Sequence, residues 1–186
     1  SAAVFQSLSS NYMAATFDSN SNKVFIYYYR TGSSDGVVGT VSGTSISFGT
    51  PVSFGTTTTS LASAIFDSNL NKVFVAYKDN GNSNYGTVVD GTISGTTVTF
   101  GDNTVFAAVN AANSPNIVFD SATNKTVIGY TNTAVTGSGT SIVTDFTNAL
   151  VTSSDYYVQA DGTLSTTVSS VPAGRALSST SILLEG

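Results

Sequence analysis

Apolar and polar residues alternate through Tyr12-Met13-Ala14-Ala15-Thr16-Phe17, through Leu61-Ala62-Ser63-Ala64-Ile65-Phe66 and through Pro115-Asn116-Ile117-Val118-Phe119, and each run is closed by Phe-Asp. A period of two predicts a strand with one face buried. A polar turn of five or six residues follows, and then a second run rich in β-branched and aromatic residues: Lys23-Val24-Phe25-Ile26-Tyr27-Tyr28, Lys72-Val73-Phe74-Val75-Ala76-Tyr77 and Lys125-Thr126-Val127-Ile128-Gly129-Tyr130. Strand, polar turn and strand predict a hairpin in each copy. The turns repeat as well, as Asp18-Ser19-Asn20-Ser21-Asn22, Asp67-Ser68-Asn69-Leu70-Asn71 and Asp120-Ser121-Ala122-Thr123-Asn124, at intervals of 49 and 53 residues. Such a period marks a repeat protein and lies at the upper end of what a four-stranded propeller blade needs.

The second half of the unit is clearest in two copies. Val38-Gly39-Thr40-Val41-Ser42-Gly43-Thr44-Ser45-Ile46-Ser47-Phe48-Gly49 matches Asp90-Gly91-Thr92-Ile93-Ser94-Gly95-Thr96-Thr97-Val98-Thr99-Phe100-Gly101 at an offset of 52 residues. Ser-Gly-Thr supplies a tight turn, with Ile46 and Phe48, or Val98 and Phe100, alternating inward beyond it. A unit therefore has about four short strands in meander order, as in a propeller blade. Val4-Phe5, Val52-Ser53-Phe54 and Val105-Phe106 occupy one place in the pattern, so residues 1–6 read as the closing end of a unit whose earlier strands are absent from the chain.

Complete units are expected at about 12–54 and 60–106 and a partial one at 115–144, which together make a β-repeat region over 1–144. From 145 to 186 the wording changes, and Asp161-Gly162 joins two β-like runs, predicting a small C-terminal β module. One helical turn is expected near Phe106-Ala107-Ala108-Val109-Asn110-Ala111-Ala112, ahead of Pro115. The fold class is thus all-β, with tandem four-stranded antiparallel blade-like repeats followed by the module.

With 9% charged residues and abundant Ser and Thr, the surface is covered by hydroxyls and amides. The net charge is −5, and the basic residues Lys23, Arg30, Lys72, Lys78, Lys125 and Arg175 form no cluster able to neutralise a run of phosphates. Nucleic acid and anionic membrane are poor partners for such a surface, and no apolar stretch reaches the roughly 20 residues of a membrane span. The absence of Cys removes disulfides and thiolate metal sites.

Phe-Asp-Ser with Asn-Lys-Val, Tyr77-Lys78-Asp79-Asn80-Gly81-Asn82-Ser83-Asn84-Tyr85-Gly86-Thr87, and Gly-Thr-Ile-Ser-Gly-Thr with Phe-Gly resemble the tandem propeller-like repeats of phage virion proteins, those of marine cyanophages above all. The tail carries a separate resemblance. Tyr156-Tyr157-Val158-Gln159, Asp161-Gly162-Thr163-Leu164 and Ala173-Gly174-Arg175-Ala176-Leu177 look like the C-terminal module of tail-fibre, spike and virion-decoration proteins. The resemblance implies a virion or extracellular setting, with other virion proteins as partners, and leaves the activity open.

The chain has no His, which excludes a Ser-His-Asp relay and a His-ligated zinc. Asp18, Asp67 and Asp120 are the carboxylates a glycosidase-type acid and base would need, but their recurrence at one place in every unit reads as turn chemistry. Asp79, Asn82 and Asn84 alternate like the donors of a calcium loop, without the late Glu or Asp that would complete coordination. Asn80, Asn82, Asn84 and Tyr85 are the expected surface or ligand contacts, and residues 31–36 form the corresponding outer loop of the first unit. Tyr27, Tyr28, Tyr29, Tyr77, Tyr85, Tyr130, Tyr156 and Tyr157 could stack on sugar rings, although packing between sheets is the default. Tyr27 and Tyr28 alternate onto opposite faces, placing at least one of them away from the main core of its sheet. Asn124-Lys125-Thr126 spells a glycosylation sequon.

The expected function is a non-enzymatic structural subunit of a phage virion appendage: tail fibre, spike or capsid decoration. No cofactor is implied, and a host-surface glycan is a possible ligand. Open sheet faces predict a homo-oligomer, most simply a trimer. The alternatives are a glycan-cleaving propeller enzyme using Asp pairs and a subunit of a bacterial extracellular filament or surface protein.

Overall fold

The computed structural model describes residues 2–55, 59–108, 112–144, 146, 155–158, 164–165, 172–178 and 181–184. The chain divides into two compact units, Ser1–Thr144 and Asp145–Gly186. Among the described residues there are strands, turns, a 3-10 turn at Thr133–Val135 and a 3-10 residue at Phe146, and no α-helix.

The first unit contains three antiparallel sheets. The first is built from β1 (Ser10–Asp18), β2 (Lys23–Arg30), β3 (Ser33–Ser42), β4 (Ser45–Phe48) and β5 (Val52–Gly55). Strands β1, β2 and β3 follow in meander order, and β4 and β5 share the free edge of β3: β4 pairs from Gly39 to Ser42 and β5 from Ser34 to Gly36. They act as one outer strand interrupted at residues 49–51, where the Gly49 amide still donates to the Val38 carbonyl at 2.9 Å. The second sheet repeats this layout with β6 (Thr59–Asp67), β7 (Lys72–Asp79), β8 (Tyr85–Ser94), β9 (Thr97–Phe100) and β10 (Thr104–Ala107). The third has β11 (Ala112–Asp120), β12 (Lys125–Asn132) and β13 (Ser138–Thr144). In the C-terminal unit, β14 (Asp155–Val158), β15 (Leu164–Ser165), β16 (Pro172–Ser178) and β17 (Ser181–Leu184) form a sheet in the order β15-β14-β16-β17. The Asp161-Gly162 turn expected between β14 and β15 lies outside the described residues.

Local chemistry explains each hairpin. After β1 the Asp18 Oδ1 accepts from the amides of Asn20 (2.9 Å) and Ser21 (3.1 Å), and Asp67 does the same for Asn69 and Leu70. The turn closes through Asn22, Asn71 and Asn124, whose φ values of 56°, 55° and 53° Asn accepts more readily than most residues. Between β3 and β4, and again between β8 and β9, a two-residue turn opens on a glycine with positive φ, Gly43 or Gly95. Each first strand also carries a bulge, at Asn11/Ala14, Ser60/Ser63 and Asn113/Asn116. Within these bulges Tyr12, Leu61 and Ser114 adopt φ of 50°, 52° and 50°.

Two sequence expectations are corrected here. Thr104–Ala107 is a strand, because its ladder with β8 completes the outer edge of the second sheet where a single helical turn would leave it bare; residues 109–111 lie outside the described residues. In the first sheet only residues 31 and 32 form the turn, and Ser33–Gly36 belong to β3. Asp35 is buried there, held by the Arg30 guanidinium and the Ser33 hydroxyl, so the segment cannot serve as an outer loop.

The first strands lie side by side, β1 against β6 and β6 against β11. One core fills the space between the first and second sheets, where Phe25, Tyr27 and Val38 meet Val73, Val75, Tyr77, Val89 and Val98. Burial of each such side chain contributes roughly 1.5–3 kcal/mol. The buried Phe74, Ala76 and Val88 of the second sheet, with Ile117 and Ile128 of the third, form the next apolar layer. Polar side chains fix the alignment of neighbouring sheets. Asn20 Nδ2 donates to Asn71 Oδ1 at 2.9 Å, Lys78 Nζ to Asn113 Oδ1 at 3.0 Å, and the Ile117 amide to Ser63 Oγ at 3.4 Å. Within the described residues the sheets form an open series and not a closed barrel or propeller.

Candidate functional site

The longest hairpin connection inside the first two sheets joins β7 to β8 through residues 80–84, where the first sheet has only two residues. Asp79, at the end of β7, is buried, and its Oδ1 accepts from the Gly81 amide at 3.0 Å and the Asn82 amide at 3.2 Å. The Tyr85 amide donates to the Asn82 carbonyl at 2.9 Å, and Ser83 and Asn84 both take left-handed φ, of 53° and 59°. Successive left-handed residues close a five-residue loop in a fixed shape. Asn80 is exposed, but its Oδ1 accepts from Ser60 Oγ at 3.3 Å, which ties the loop to β6. Asn82 is exposed, and Asn84 and Tyr85 are half-buried.

The loop can present amides and one phenol to a polar ligand. Its carboxylate is turned inward onto the loop's own amides, the arrangement of an Asx turn. Among the described residues no group of three His, Cys, Asp or Glu side chains is placed to hold a metal ion.

The recurring aspartates occupy equivalent turns. Asp18 and Asp67 are buried beneath theirs, whereas Asp120 is exposed. The Thr123 hydroxyl, donating to Asp120 Oδ2 at 2.7 Å, and the Ala122 amide hold that carboxyl below its ordinary range. In each case the carboxylate accepts from the turn that follows it, so the side chain is committed to chain reversal.

The tyrosines divide by face. Tyr27 and Tyr28 are both 0% exposed although they point to opposite sides of β2. Tyr27 faces the second sheet, where its hydroxyl is hydrogen-bonded to Thr59 Oγ1, which in turn meets Ser34 Oγ at 2.8 Å. Burial pushes its phenol up to about 12, against the opposing pull of the Thr59 and Ser34 hydrogen bonds. Tyr28 is covered from the other side by Phe5, with ring centroids 5.2 Å apart. Its hydroxyl lies close to Gln6 and Asp35 without a hydrogen bond of ordinary geometry, and burial raises its pKa. Tyr77 is likewise buried and raised by burial. These rings are packing elements, and among the described tyrosines the accessible surface belongs to Tyr85, Tyr130 and the half-exposed Tyr12 and Tyr29 pair, 6.3 Å apart. Side chains of Tyr156 and Tyr157 lie outside the described residues.

Packing between sheets was the default expected for the tyrosines, and the structure adds the phenylalanines that complete this aromatic wedge. Phe54 touches Tyr27 and Tyr77 at 5.8 Å each and Phe100 at 4.8 Å, while Phe106 meets Tyr130 at 5.5 Å. The signal was present in the shared place of Phe5, Phe54 and Phe106 in the repeat. A shallow groove beside this wedge, between β5 and β9, is lined by Val52, Phe54, Thr97, Thr99 and Phe100.

The chain matches no protein-family model, no curated protein and no solved structure.

Proposed function

We propose that the sheets are blades of a propeller-like repeat and that the chain is a non-enzymatic structural subunit of a phage virion appendage: tail fibre, spike or capsid decoration. The observation that carries the non-enzymatic part is the fate of the repeated carboxylates, with Asp18 and Asp67 each accepting two backbone amides of its own turn. A residue spent on the same turn in successive sheets serves architecture. The blade reading draws support from the repeated meander order and from first strands that stand side by side. The virion setting rests on the resemblance of the repeat and tail wording.

In this reading the 80–84 loop, with Asn80, Asn82 and Tyr85, meets a host-surface glycan or a neighbouring virion protein. Each contact is weak and polar, and many copies on one particle supply avidity. Immunogold electron microscopy with antibody to this chain tests the setting, with labelling of virion appendages as the expected result. Release of reducing sugar from host polysaccharide, lost on Asp67→Asn, would replace the structural reading with the enzyme.

A further inference from the structure

We infer that the two outward sheet faces at the ends of the series are complementary halves of one head-to-tail interface between copies of this chain. The inference deepens the structural-subunit reading and rests on it only for the view that the chain works as an assembly.

The template lies inside the molecule. In the second sheet Ala64 stands opposite Val75 and Phe66 opposite Val73, and this face, with Tyr77 and Phe100, is covered by Phe25, Tyr27 and Val38 of the first sheet. The matching face of the first sheet pairs Ala15 with Ile26 and Phe17 with Val24, and continues into Tyr28 and Phe48. Position by position it has the same apolar character. Yet Phe17 is 53% exposed and the neighbouring Met13 57%, whereas Phe66 is packed against the core. Phe5 covers only the outer part, touching Tyr28 at 5.2 Å and Phe48 at 5.4 Å, as Phe54 does for Tyr77 and Phe100 in the second sheet.

The other end of the series has the converse face. In the first sheet the covering row runs Thr16, Phe25, Val38 in directly opposed register. Its counterpart in the third sheet is Val118, Val127, Val143, again opposed across β11, β12 and β13. There Val118 is 56% and Val143 67% exposed. One end thus shows the surface that a sheet of this repeat receives, and the other shows the surface that such a sheet presents. A second copy supplies both in the geometry the chain already uses between its own sheets. Joining the two is heterologous, so it closes into a ring or continues as a filament according to the angle per chain.

The test uses the full chain and two single variants at exposed positions, Phe17→Arg and Val143→Arg, with Met13→Arg and Val118→Arg as a second pair should either fail to fold. Light scattering after size exclusion is expected to give multiples of the chain mass for the parent protein and single chains for each variant. An equimolar mixture of the two variants is expected to restore a two-chain species, because each retains the half that the other lost. A parent protein that is a single chain, with residues 145–186 or nothing over these faces, overturns the inference. So do variants that stay assembled through another surface, and so does a mixture that remains single chains. Absence of the protein from virions, or a sugar-releasing activity, would remove the proposed function while leaving this result unchanged.

Discussion

Phe5 rests on Tyr28 with ring centroids 5.2 Å apart, reproducing at the open end of the series the 5.8 Å contact that Phe54 makes with Tyr77 between two sheets. The two phenylalanines differ in what surrounds them. Phe54 meets rings of both neighbouring sheets, Tyr27 of the first and Tyr77 and Phe100 of the second, whereas among the described residues the rings that Phe5 meets, Tyr28 and Phe48, both belong to the first sheet. Phe54→Ala is therefore expected to lower stability by about 3 kcal/mol and Phe5→Ala by about 1–2 kcal/mol, scaled from the usual cost of removing a phenyl ring from a core. Urea unfolding curves for both variants check the order, and equal losses would contradict it.

Gly36 is required by proximity. A Cβ there would stand 2.6 Å from ring atoms of both Phe25 and Phe100, one from its own sheet and one from the next. Gly36→Ala is expected to cost about 1–3 kcal/mol through overpacking. Adding Phe100→Leu should return part of that loss, so the pair will be non-additive in a double-mutant cycle.

The Asp turns separate geometry from charge. Asp67→Ala removes the acceptor for the Asn69 and Leu70 amides, both 2.9 Å from Oδ1, and is expected to cost about 1–2 kcal/mol. Asp67→Asn keeps a carbonyl oxygen in that place and should cost less. Amide hydrogen exchange at Asn69 and Leu70 reads the difference directly, with faster exchange in the Ala variant alone.

Tyr27 sets an alkaline limit. Its phenol is pushed from 10.0 to about 12 by burial, so the folded chain holds this proton where the unfolded chain releases it. The folded state binds more protons between those values, and stability falls as pH rises through them: complete below pH 10 and lost toward 12. The displacement corresponds to roughly 3 kcal/mol. Denaturant midpoints measured from pH 9 to 12 should decline above 10, and Tyr27→Phe should flatten the decline.

Much of the architecture is written locally and so can be read locally. The alternation in Ala14 to Phe17, the Asp that opens each turn and the Asn that closes it all act within a few residues of themselves. Loop 80–84 is legible for the same reason, since its Asn, Gly and Ser residues announce a turn. What escaped reading depends on neighbours far along the chain. Ser33–Gly36 looks like a loop by composition, but pairing with β2 and β5 and the Arg30–Asp35 contact draw it into the sheet. Tyr28 alternates away from the first core and is buried all the same, because Phe5 returns to cover it. Asp79 has the composition of a calcium donor, yet only the folded loop reveals that its Oδ1 is taken by two amides.

The bulge in each first strand separates backbone from side chain. Tyr12, Leu61 and Ser114 hold nearly one φ, near 50°, and all three are exposed. An aromatic, an aliphatic and a hydroxyl residue serve equally where a left-handed conformation costs about 1–3 kcal/mol, so the register shift imposes the shape and the residue merely tolerates it. The molecule thereby owns one address in each sheet at which chemistry can be exchanged without rewriting the fold, whether by mutation over generations or by a label attached at the bench.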